Sequence, residues 1–475
     1  MSLSSVDTAS LAMPYRRRDR MAAPKMNGAF GGEDAHQDRK GWMIFLYILL
    51  FGLYIASYRY YLAPYWGYMG FVDAFNPYKL MTSLAVIASF AWFTPRTFSV
   101  RAFFLNLSLT VYLLPSLAIY TYADRPTSAL LIITLAFAVV YATSAISIPR
   151  FSLATVPAKP LMWLLAALTV WLLVFSYVFG GFQNFNLDIT RVYEFRREAA
   201  EDLPGVFGYL ISVFSKVIIP VGVILSLRYR IYIFTGIFFF MTVMLFGFTS
   251  HKSILFGPFV VTGLYIFLSR YNRYSVILYV LIIMLTFGVI GEIYLGATGS
   301  GGGLGWYNTL LIRRVLMVPS LLDYYYLEFF SGSPKYYWSS SFITFGLVPD
   351  YYGIPAPKII GEVYFFDADM SANTGFIGSG FSQAGLVGVI AYALGVGTIF
   401  AIFQSYGRYL GPSFVAPAMM GQVLTMVRSS DFLTTFLTHG LLVSLVLLVI
   451  ISSPEESGKK VQAQSSGSQP LPDSA

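Results

Sequence analysis

The sequence predicts an all-α membrane protein, a bundle of about twelve transmembrane helices. Hydrophobic residues make up 56% of its 475 residues and charged residues only 11%. Soluble domains average about 45–50% apolar residues and about 25% charged residues. Long apolar runs recur between short polar breaks, and a helix needs about 20 apolar residues to cross about 30 Å of hydrocarbon. These observations exclude an ordinary soluble enzyme, a disordered chain and a coiled coil.

Twelve apolar segments are candidate spans. They lie near residues 42–61, 79–94, 102–121, 128–148, 160–180, 207–227, 231–249, 253–269, 275–295, 377–403, 411–427 and 433–452. The loops on one side hold Arg96, Arg101, Arg150, Lys159, Arg228, Arg230, Arg270, Arg273 and Arg408. The short loops on the other side hold Lys79, Arg125, Lys252 and Arg428. The positive-inside rule therefore predicts that the first side is cytoplasmic, and an even number of spans places both termini there.

The two ends of the chain are polar. Residues 1–40, with the basic cluster from Arg16 to Arg20, and residues 453–475 are predicted to be disordered cytoplasmic tails on either side of a bundle at 41–452. The net charge of +8 is attributed to positive-inside loops rather than to nucleic-acid binding. The sequence has no cysteine, which excludes disulfides and Cys-ligated metals, and its three histidines lie far apart, so no metal or cofactor is predicted.

Two long connections, about 181–206 and 296–376, fall on the predicted outer side and are expected to pack on the mouth of the bundle. The first contains Arg191, Arg196 and Arg197 among several acids. These arginines belong either to a solvated helix, in which they form ion pairs with acids at helical spacing, or to a binding site for phosphate oxygens, which a planar guanidinium fits well.

The second outer loop has a glycine-rich start and then a predicted helix with Arg313 and Arg314 amid apolar residues. The glycine stretch lacks the lysine and the preceding strand of a nucleotide-binding loop. Two adjacent arginines in an apolar stretch either snorkel to the interface or bind an anion, and the preferred hypothesis is a lipid-linked phosphate.

Lys216 lies about nine residues into the sixth predicted span, roughly 14 Å deep. A charged residue at this depth indicates either a functional site or a structural ion pair with an acid elsewhere in the bundle. His439, in the last predicted span, is interpreted as a hydrogen-bonded packing residue.

The candidate bases are acids of the second outer loop. Asp323, Asp367 and Asp369 could each take a proton from an acceptor hydroxyl, as a glycosyl transfer with inversion requires. The aromatic residues, which include 35 Tyr and 42 Phe, are mostly explained by interfacial belts, but the clusters in this loop are also compatible with stacking on sugar rings.

The segment from Ala372 to Phe400, ANTGFIGSGFSQAGLVGVIAYALGVGTIF, points to a family. It resembles the part of bacterial oligosaccharide repeat-unit polymerases, the O-antigen and exopolysaccharide polymerases of the Wzy type, that enters a late span. In that family an Asn/Thr-Gly stretch precedes a Gly-Xaa-Xaa-Gly pair, here Gly385 and Gly388.

Two arginine segments also resemble the family. The stretch RRVLMVPSLLDYYYLEFF looks like the family's outer-loop arginine helix. An Arg followed by ten residues and a Gly, here Arg197 and Gly208, is similar to a pattern of some O-antigen polymerases, whereas the same spacing from Arg314 ends at Tyr325.

The resemblance implies a fold related to GT-C glycosyltransferases, in the bacterial inner membrane, with two large periplasmic loops. It implies a metal-independent transfer of a polymer from undecaprenyl diphosphate onto a new lipid-linked repeat unit. The expected partners are that lipid-linked oligosaccharide, the bilayer, a chain-length regulator and a flippase. The residues implied to contact the diphosphate are Arg191, Arg196, Arg197, Arg313, Arg314 and Lys216, with Arg197 and Arg314 also catalytic and Asp323, Asp367 or Asp369 as base.

Three other functions stay open at this point. An O-antigen ligase would share the bundle and the arginines but attach polymer to lipid A–core. A transporter or flippase would favour charges along several spans and an internal repeat, and Lys216 is the one clear mid-span charge. An acyltransferase would need a mid-membrane histidine beside an acid, and His439 has no adjacent acid in the sequence.

Overall fold

The structure, a computed structural model, describes residues 39–151, 156–179, 185–188, 205–297 and 305–451. Within these ranges the chain is helical and forms no strand, apart from one isolated bridge between Ala74 and Ala123. The predicted all-α class is therefore confirmed for the described part of the chain. The predicted tails, except for residues 39 and 40, and most of the first outer loop lie outside it.

Eight of the described helices are long and apolar enough to cross a bilayer. They are α1 (Lys40–Met69), α3 (Val100–Tyr122), α5 (Ala158–Val178), α6 (Val206–Arg228), α7 (Tyr232–Thr249), α8 (Lys252–Tyr271), α9 (Val276–Leu295) and α12 (Phe376–Leu410). The remaining helices are α2 (Pro77–Phe93), α4 (Thr127–Thr143), α10 (305–332), α11 (Ala356–Phe365), α13 (Pro412–Arg428), α14 (Phe432–Leu437) and α15 (Leu441–Ile451). The protein is thus a polytopic helical bundle.

Each of the twelve predicted spans contains a helix, but the last one is broken. Gly440, with φ of +84°, separates α14 from α15, because a residue in the left-handed region interrupts a helix. The helices α2, α4 and α13 have 17 residues each, slightly fewer than the usual length of a span. Twelve crossings stay a prediction.

The start of a helix is often set by a polar side chain that caps it. Asn76 accepts hydrogen bonds from the backbone N–H groups of Tyr78 and Lys79 at the start of α2. Ser99 accepts one from Ala102 N at the start of α3. These caps satisfy donors that the first helical turn leaves without an intrahelical partner.

The helix α3 is the centre of the bundle. In the most apolar 18-residue window of α3, every residue is buried. In the corresponding window of the peripheral α8, only 28% of the residues are buried. The buried Asn106 side chain of α3 accepts from Tyr47 Oη at 2.7 Å and donates to Tyr274 O at 3.1 Å. This buried hydrogen bonding joins three segments at a fixed register.

The second outer loop contains a helix that enters the bundle. The predicted arginine helix is present as α10, and residues 309–317 of it are π-helical. Beyond them, Ser320 Oγ and Tyr324 Oη donate to backbone carbonyls of α3, at 3.1 and 3.0 Å. Residues 318–332 therefore lie against the central helix, and the packing of the long loops on the mouth of the bundle stays a prediction.

Candidate functional site

The first feature of the site is a sharp reversal inside α12. Ala384 (φ −148°, ψ 32°) and Gly385 (φ 59°, ψ −140°) are not helical. A Cβ on Gly388 would lie 2.0 Å from the carbonyl oxygen of Gly380, although a straight helix would separate these residues by about 12 Å. Residues 376–383 therefore form a short arm and residues 386–410 a long arm, and the two arms lie against each other.

This reversal gives a structural role to the glycine pair that the family resemblance singled out. Gly385 has a positive φ, which a side chain disfavours, and Gly388 lets the two arms touch. The carbonyl groups at the end of the short arm do not continue a helix. Ser382 O and Gln383 O instead accept from the N–H groups of Tyr336 and Tyr337, at 3.0 and 2.8 Å.

A cavity of about 350 Å³ lies beside the short arm, and we call it the hydroxyl cavity. Its volume is within the range of small-molecule sites, about 300–1,000 Å³. Its wall carries the hydroxyl groups of Ser340, Ser341, Ser379, Ser382, Ser430, Thr374, Thr434 and Thr438, beside the apolar residues Pro355, Ala356, Pro357, Leu433 and Leu437. The amides of Asn373 and Gln383 and the rings of Tyr326, Tyr336 and Trp338 complete the polar and aromatic lining. Such a wall offers both donors and acceptors at many points.

Asp431 is the only charged side chain among the described residues that line the hydroxyl cavity. Its Oδ1 caps α14 by accepting from Leu433 N at 2.9 Å and Thr434 N at 3.1 Å. Its Oδ2 accepts from Tyr392 Oη at 2.8 Å, and Tyr392 Oη in turn accepts from Trp338 Nε1 at 2.8 Å. Hydrogen bonds thus fix one carboxylate at the wall of the cavity.

The acids predicted from the sequence do not include Asp431. One feature of the sequence could have indicated Asp431 as a site residue. It is an acid in the connection between the last two predicted spans, and this connection is predicted to lie on the same side of the membrane as the long loops. The predicted start of the last span at residue 433 placed this acid only two residues from an apolar segment.

Asp323 lies behind the wall of the cavity and is fully buried. Thr374 Oγ1 and Gly378 N donate to its Oδ1 at 2.6 and 2.7 Å, and Tyr112 Oη donates to its Oδ2. Thr374 also lines the hydroxyl cavity. Asp323 therefore holds the residues at the start of the short arm and does not itself contact the cavity.

Burial raises the pKa of Asp323 to about 6, and its hydrogen bonds with Thr374, Tyr112 and Gly378 oppose the shift. Because the pKa of Asp323 is higher in the folded state than in the unfolded state, the folded protein binds more protons than the unfolded protein between about pH 4 and pH 6. The contribution of Asp323 to the free energy of unfolding is therefore fully present below that pH window and is lost as the pH rises through 6.

We accordingly predict that the thermal unfolding midpoint of the purified wild-type protein falls as the pH rises from 4 to 6. In Asp323→Asn, which has no carboxyl group at this position, the midpoint should fall less over the same range. Thermal unfolding followed by intrinsic fluorescence at several pH values would measure both slopes. Parallel curves for the two proteins would show that Asp323 does not titrate in this window.

Asp367 and Asp369 lie on an exposed turn after α11. Asp367 Oδ1 accepts from the N–H groups of Asp369 and Met370, at 2.9 and 3.1 Å, which is the geometry of a turn cap. Neither acid lines the hydroxyl cavity. The structure thus brings none of the three predicted bases against this cavity.

Of the predicted arginines, the structure describes Arg313 and Arg314, and these two have different surroundings. Arg313 is buried with its guanidinium 3.5 Å from the centre of the Trp66 ring, a cation–π contact, and its Nη1 lies 3.3 Å from Met69 Sδ. The neighbouring Arg314 is exposed. Neither residue lines the hydroxyl cavity. Arg191, Arg196 and Arg197 lie outside the described residues.

Lys216 lies in α6, as predicted, within a π-helical stretch at Phe214–Ile218. Between the described residues the ion pairs within 4.0 Å are Lys79–Asp124 and Arg125–Glu328, so no acid pairs with Lys216 there. Its electrostatic neighbour is His439, whose Nδ1 lies 2.8 Å from Ser212 Oγ. The hypothesis of a hydrogen-bonded packing histidine agrees with this contact.

Arg428 is a further buried charge, at the end of α13. Its Nε has no hydrogen-bond partner among the described residues, and Tyr54 and Tyr112 are its electrostatic neighbours. Tyr112 thus interacts with both Arg428 and Asp323. The sequence places Arg428 in a short outer loop and predicts neither its burial nor its position beside Tyr54 and Tyr112.

No known protein provides a second line of evidence. No family model, curated protein or solved structure matches this chain. In the described part of the chain, no three His, Asp or Glu residues are grouped as a metal site would require.

Proposed function

We propose that the protein transfers a lipid-linked oligosaccharide at the outer face of the membrane, and that the hydroxyl cavity binds the sugars. The observation that carries this proposal is the lining of the cavity. Hydroxyl and amide groups match the alternating donors and acceptors of a sugar, and the half-buried Trp338 ring in the wall could pack on its C–H surface. A wall with a single charged group suits a neutral, polyhydroxylated ligand better than an ion.

The reaction is the polymerisation of undecaprenyl-diphosphate-linked repeat units into a surface polysaccharide. The anomeric carbon of the donor sugar loses its bond to the lipid diphosphate and forms a bond to a hydroxyl oxygen of the acceptor sugar. The acceptor hydroxyl gives its proton to a carboxylate, and the diphosphate leaves with the electron pair of the broken bond. Arginines of the long loops, with Arg197 and Arg314 foremost, would stabilise the charge on the diphosphate.

Asp431 is the proposed base, because it is the described acid that lines the cavity. Its Oδ2 accepts one hydrogen bond, from Tyr392, and so retains a further lone pair for an acceptor hydroxyl. The hydrogen bonds to Oδ1 fix the orientation of the carboxylate before any sugar binds.

The topology belongs to the same proposal. The protein would cross the bacterial inner membrane twelve times, with both termini in the cytoplasm, and its lipid substrate would enter sideways from the bilayer. A chain-length regulator and a flippase are the expected partners. An O-antigen ligase is the second candidate, since it would use the same cavity and arginines with lipid A–core as acceptor.

Deletion of the gene, followed by analysis of surface glycan and lipid-linked intermediates, tests the proposal. A polymerase predicts loss of long polymer and accumulation of single repeat units on their lipid carrier. Long polymer that stays on the lipid carrier would instead identify a ligase. Repeat units trapped on the cytoplasmic face would identify a flippase, and an unchanged glycan would contradict the proposal.

The arginine assignment has its own test. We predict that Arg197→Ala and Arg314→Ala each abolish polymerisation while the protein still reaches the membrane. Arg→Lys at the same positions should also impair it, since Lys keeps the charge but loses the two-pronged geometry of the guanidinium. Polymer of wild-type length in the alanine variants would remove these residues from the diphosphate site.

A further inference from the structure

A second cavity, of about 180 Å³, lies at the other end of the long arm of α12. Three segments form it: residues 95–101, residues 144–148 and the end of α12. The long arm runs about 27 Å from Leu386, beside the hydroxyl cavity, to Gln404 in the wall of this second cavity. That distance is close to the thickness of the hydrocarbon core, so the two cavities lie near opposite faces of the membrane.

Two arginines line this second cavity, which we call the arginine cavity. Arg101 donates from Nε to Ser144 Oγ at 3.1 Å and from Nη2 to Tyr141 O at 3.1 Å. These bonds fix its guanidinium and leave Nη1 available to a ligand. Arg408 is exposed, and its Nη1 lies 3.4 Å from Ser147 Oγ.

The rest of the polar lining adds hydroxyl groups and no negative charge. Thr97, Ser99, Ser144, Ser147 and Ser405 line the arginine cavity together with Gln404. None of the described lining residues is acidic, so none of them neutralises the two guanidinium groups. Guanidinium N–H and hydroxyl donors around a small cavity match the oxygens of a phosphate group.

The rim of the arginine cavity is apolar on one side. Ile146 and Ile148 line it, and Ile146 is 60% exposed. A phosphate that carries acyl chains could place them along these side chains, whereas a free phosphate would leave them in contact with solvent. The cavity also lies at the end of the bundle where basic loop residues concentrate, and this is the face at which anionic lipids attract cationic segments.

We propose that the arginine cavity binds the phosphate group of an anionic membrane lipid. The phosphate oxygens lie between the guanidinium groups of Arg101 and Arg408 and accept hydrogen bonds from the surrounding hydroxyls. This inference does not depend on glycan transfer at the hydroxyl cavity, because it rests on other residues at the opposite end of α12. It identifies a regulatory or anchoring lipid site, separate from the site of chemistry.

The test uses the full chain purified in a neutral detergent and mixed with phosphatidylglycerol, and native mass spectrometry counts the lipids that stay bound. The variant is Arg408→Gln, because Arg408 is exposed and its single hydrogen bond is long. Arg101→Lys is the second variant, since it keeps a charge near the end of α4. The matched control is Arg230→Gln, which removes one exposed charge from the same predicted side but outside the cavity.

We expect the wild type and Arg230→Gln to retain phosphatidylglycerol equally, and Arg408→Gln to bind it about tenfold more weakly. Phosphatidylcholine should not compete. Inorganic phosphate is a second probe: if it displaces the lipid only at high concentration, the ligand is a lipid headgroup, and if it binds tightly alone, the ligand is a soluble phosphate. Equal retention of phosphatidylglycerol by all variants, with no effect of phosphate, would overturn the proposal.

Discussion

Replacing Asp431 by Asn is expected to slow glycan transfer by about 100-fold to 10,000-fold, the range typical for loss of a general base. The substitution removes the charge that would accept the proton of the acceptor hydroxyl. It keeps the shape of the side chain and an oxygen that can cap α14, because Asn and Asp are equally good caps. The rate of polymer formation from purified lipid-linked repeat units measures this effect.

The structural role of Asp431 requires a control. Asp431→Ala should lose both the charge and the cap, with a cost in stability of about 1 kcal/mol that Asp431→Asn avoids. Asp369→Asn changes an exposed acid away from the hydroxyl cavity and should polymerise at the wild-type rate. If Asp431→Asn formed polymer as fast as Asp369→Asn, Asp431 would be only a helix cap.

The second large effect is expected from Gly388→Ala. The new Cβ would lie 2.0 Å from the carbonyl oxygen of Gly380, so backbone atoms of the two arms of α12 would have to separate. Overpacking of this kind costs about 1–3 kcal/mol, and a clash with backbone has no flexible side chain to absorb it. We expect a lower unfolding midpoint and loss of transfer, because the short arm carries Ser379, Ser382 and Gln383 into the hydroxyl cavity.

Gly263→Ala is the matched control for this substitution. Gly263 lies inside α8, and a Cβ there would meet no atom within 4 Å. Since Ala is a better helix former than Gly by up to about 1 kcal/mol, this variant should be unchanged or slightly more stable. Equal unfolding midpoints for Gly388→Ala and Gly263→Ala would contradict the reversal in α12.

Much of the bundle could be predicted from the sequence, because a helix that crosses the membrane requires an apolar segment long enough to span the hydrocarbon core. The segment 102–121 was predicted as a span, and α3 is buried throughout its apolar window. What periodicity could not predict was the break at Gly440 or the reversal at Gly385, since both occur inside runs that are apolar on either side. The backbone angles of one or two residues, not composition, decide each of them.

The site was harder to predict than the fold. Residue type alone favours the acids and arginines of the long loops, yet Asp323 is buried behind the cavity and Arg313 packs against the Trp66 ring. The hydroxyl groups that line the hydroxyl cavity come from Ser and Thr in segments far apart in the chain. Such residues have no local pattern, because their neighbourhood is created by packing alone.

The central claim is that sugars of a lipid-linked repeat unit occupy the hydroxyl cavity. The most direct measurement is polymer formation by the purified protein in vesicles supplied with repeat units from the deletion strain. Thr434→Trp would fill the cavity from an exposed position in α14, and Ser331→Trp would place the same ring at an exposed position outside it. We predict long polymer with the wild type and Ser331→Trp, and single repeat units only with Thr434→Trp. Long polymer with Thr434→Trp, or none with the wild type, would contradict the claim.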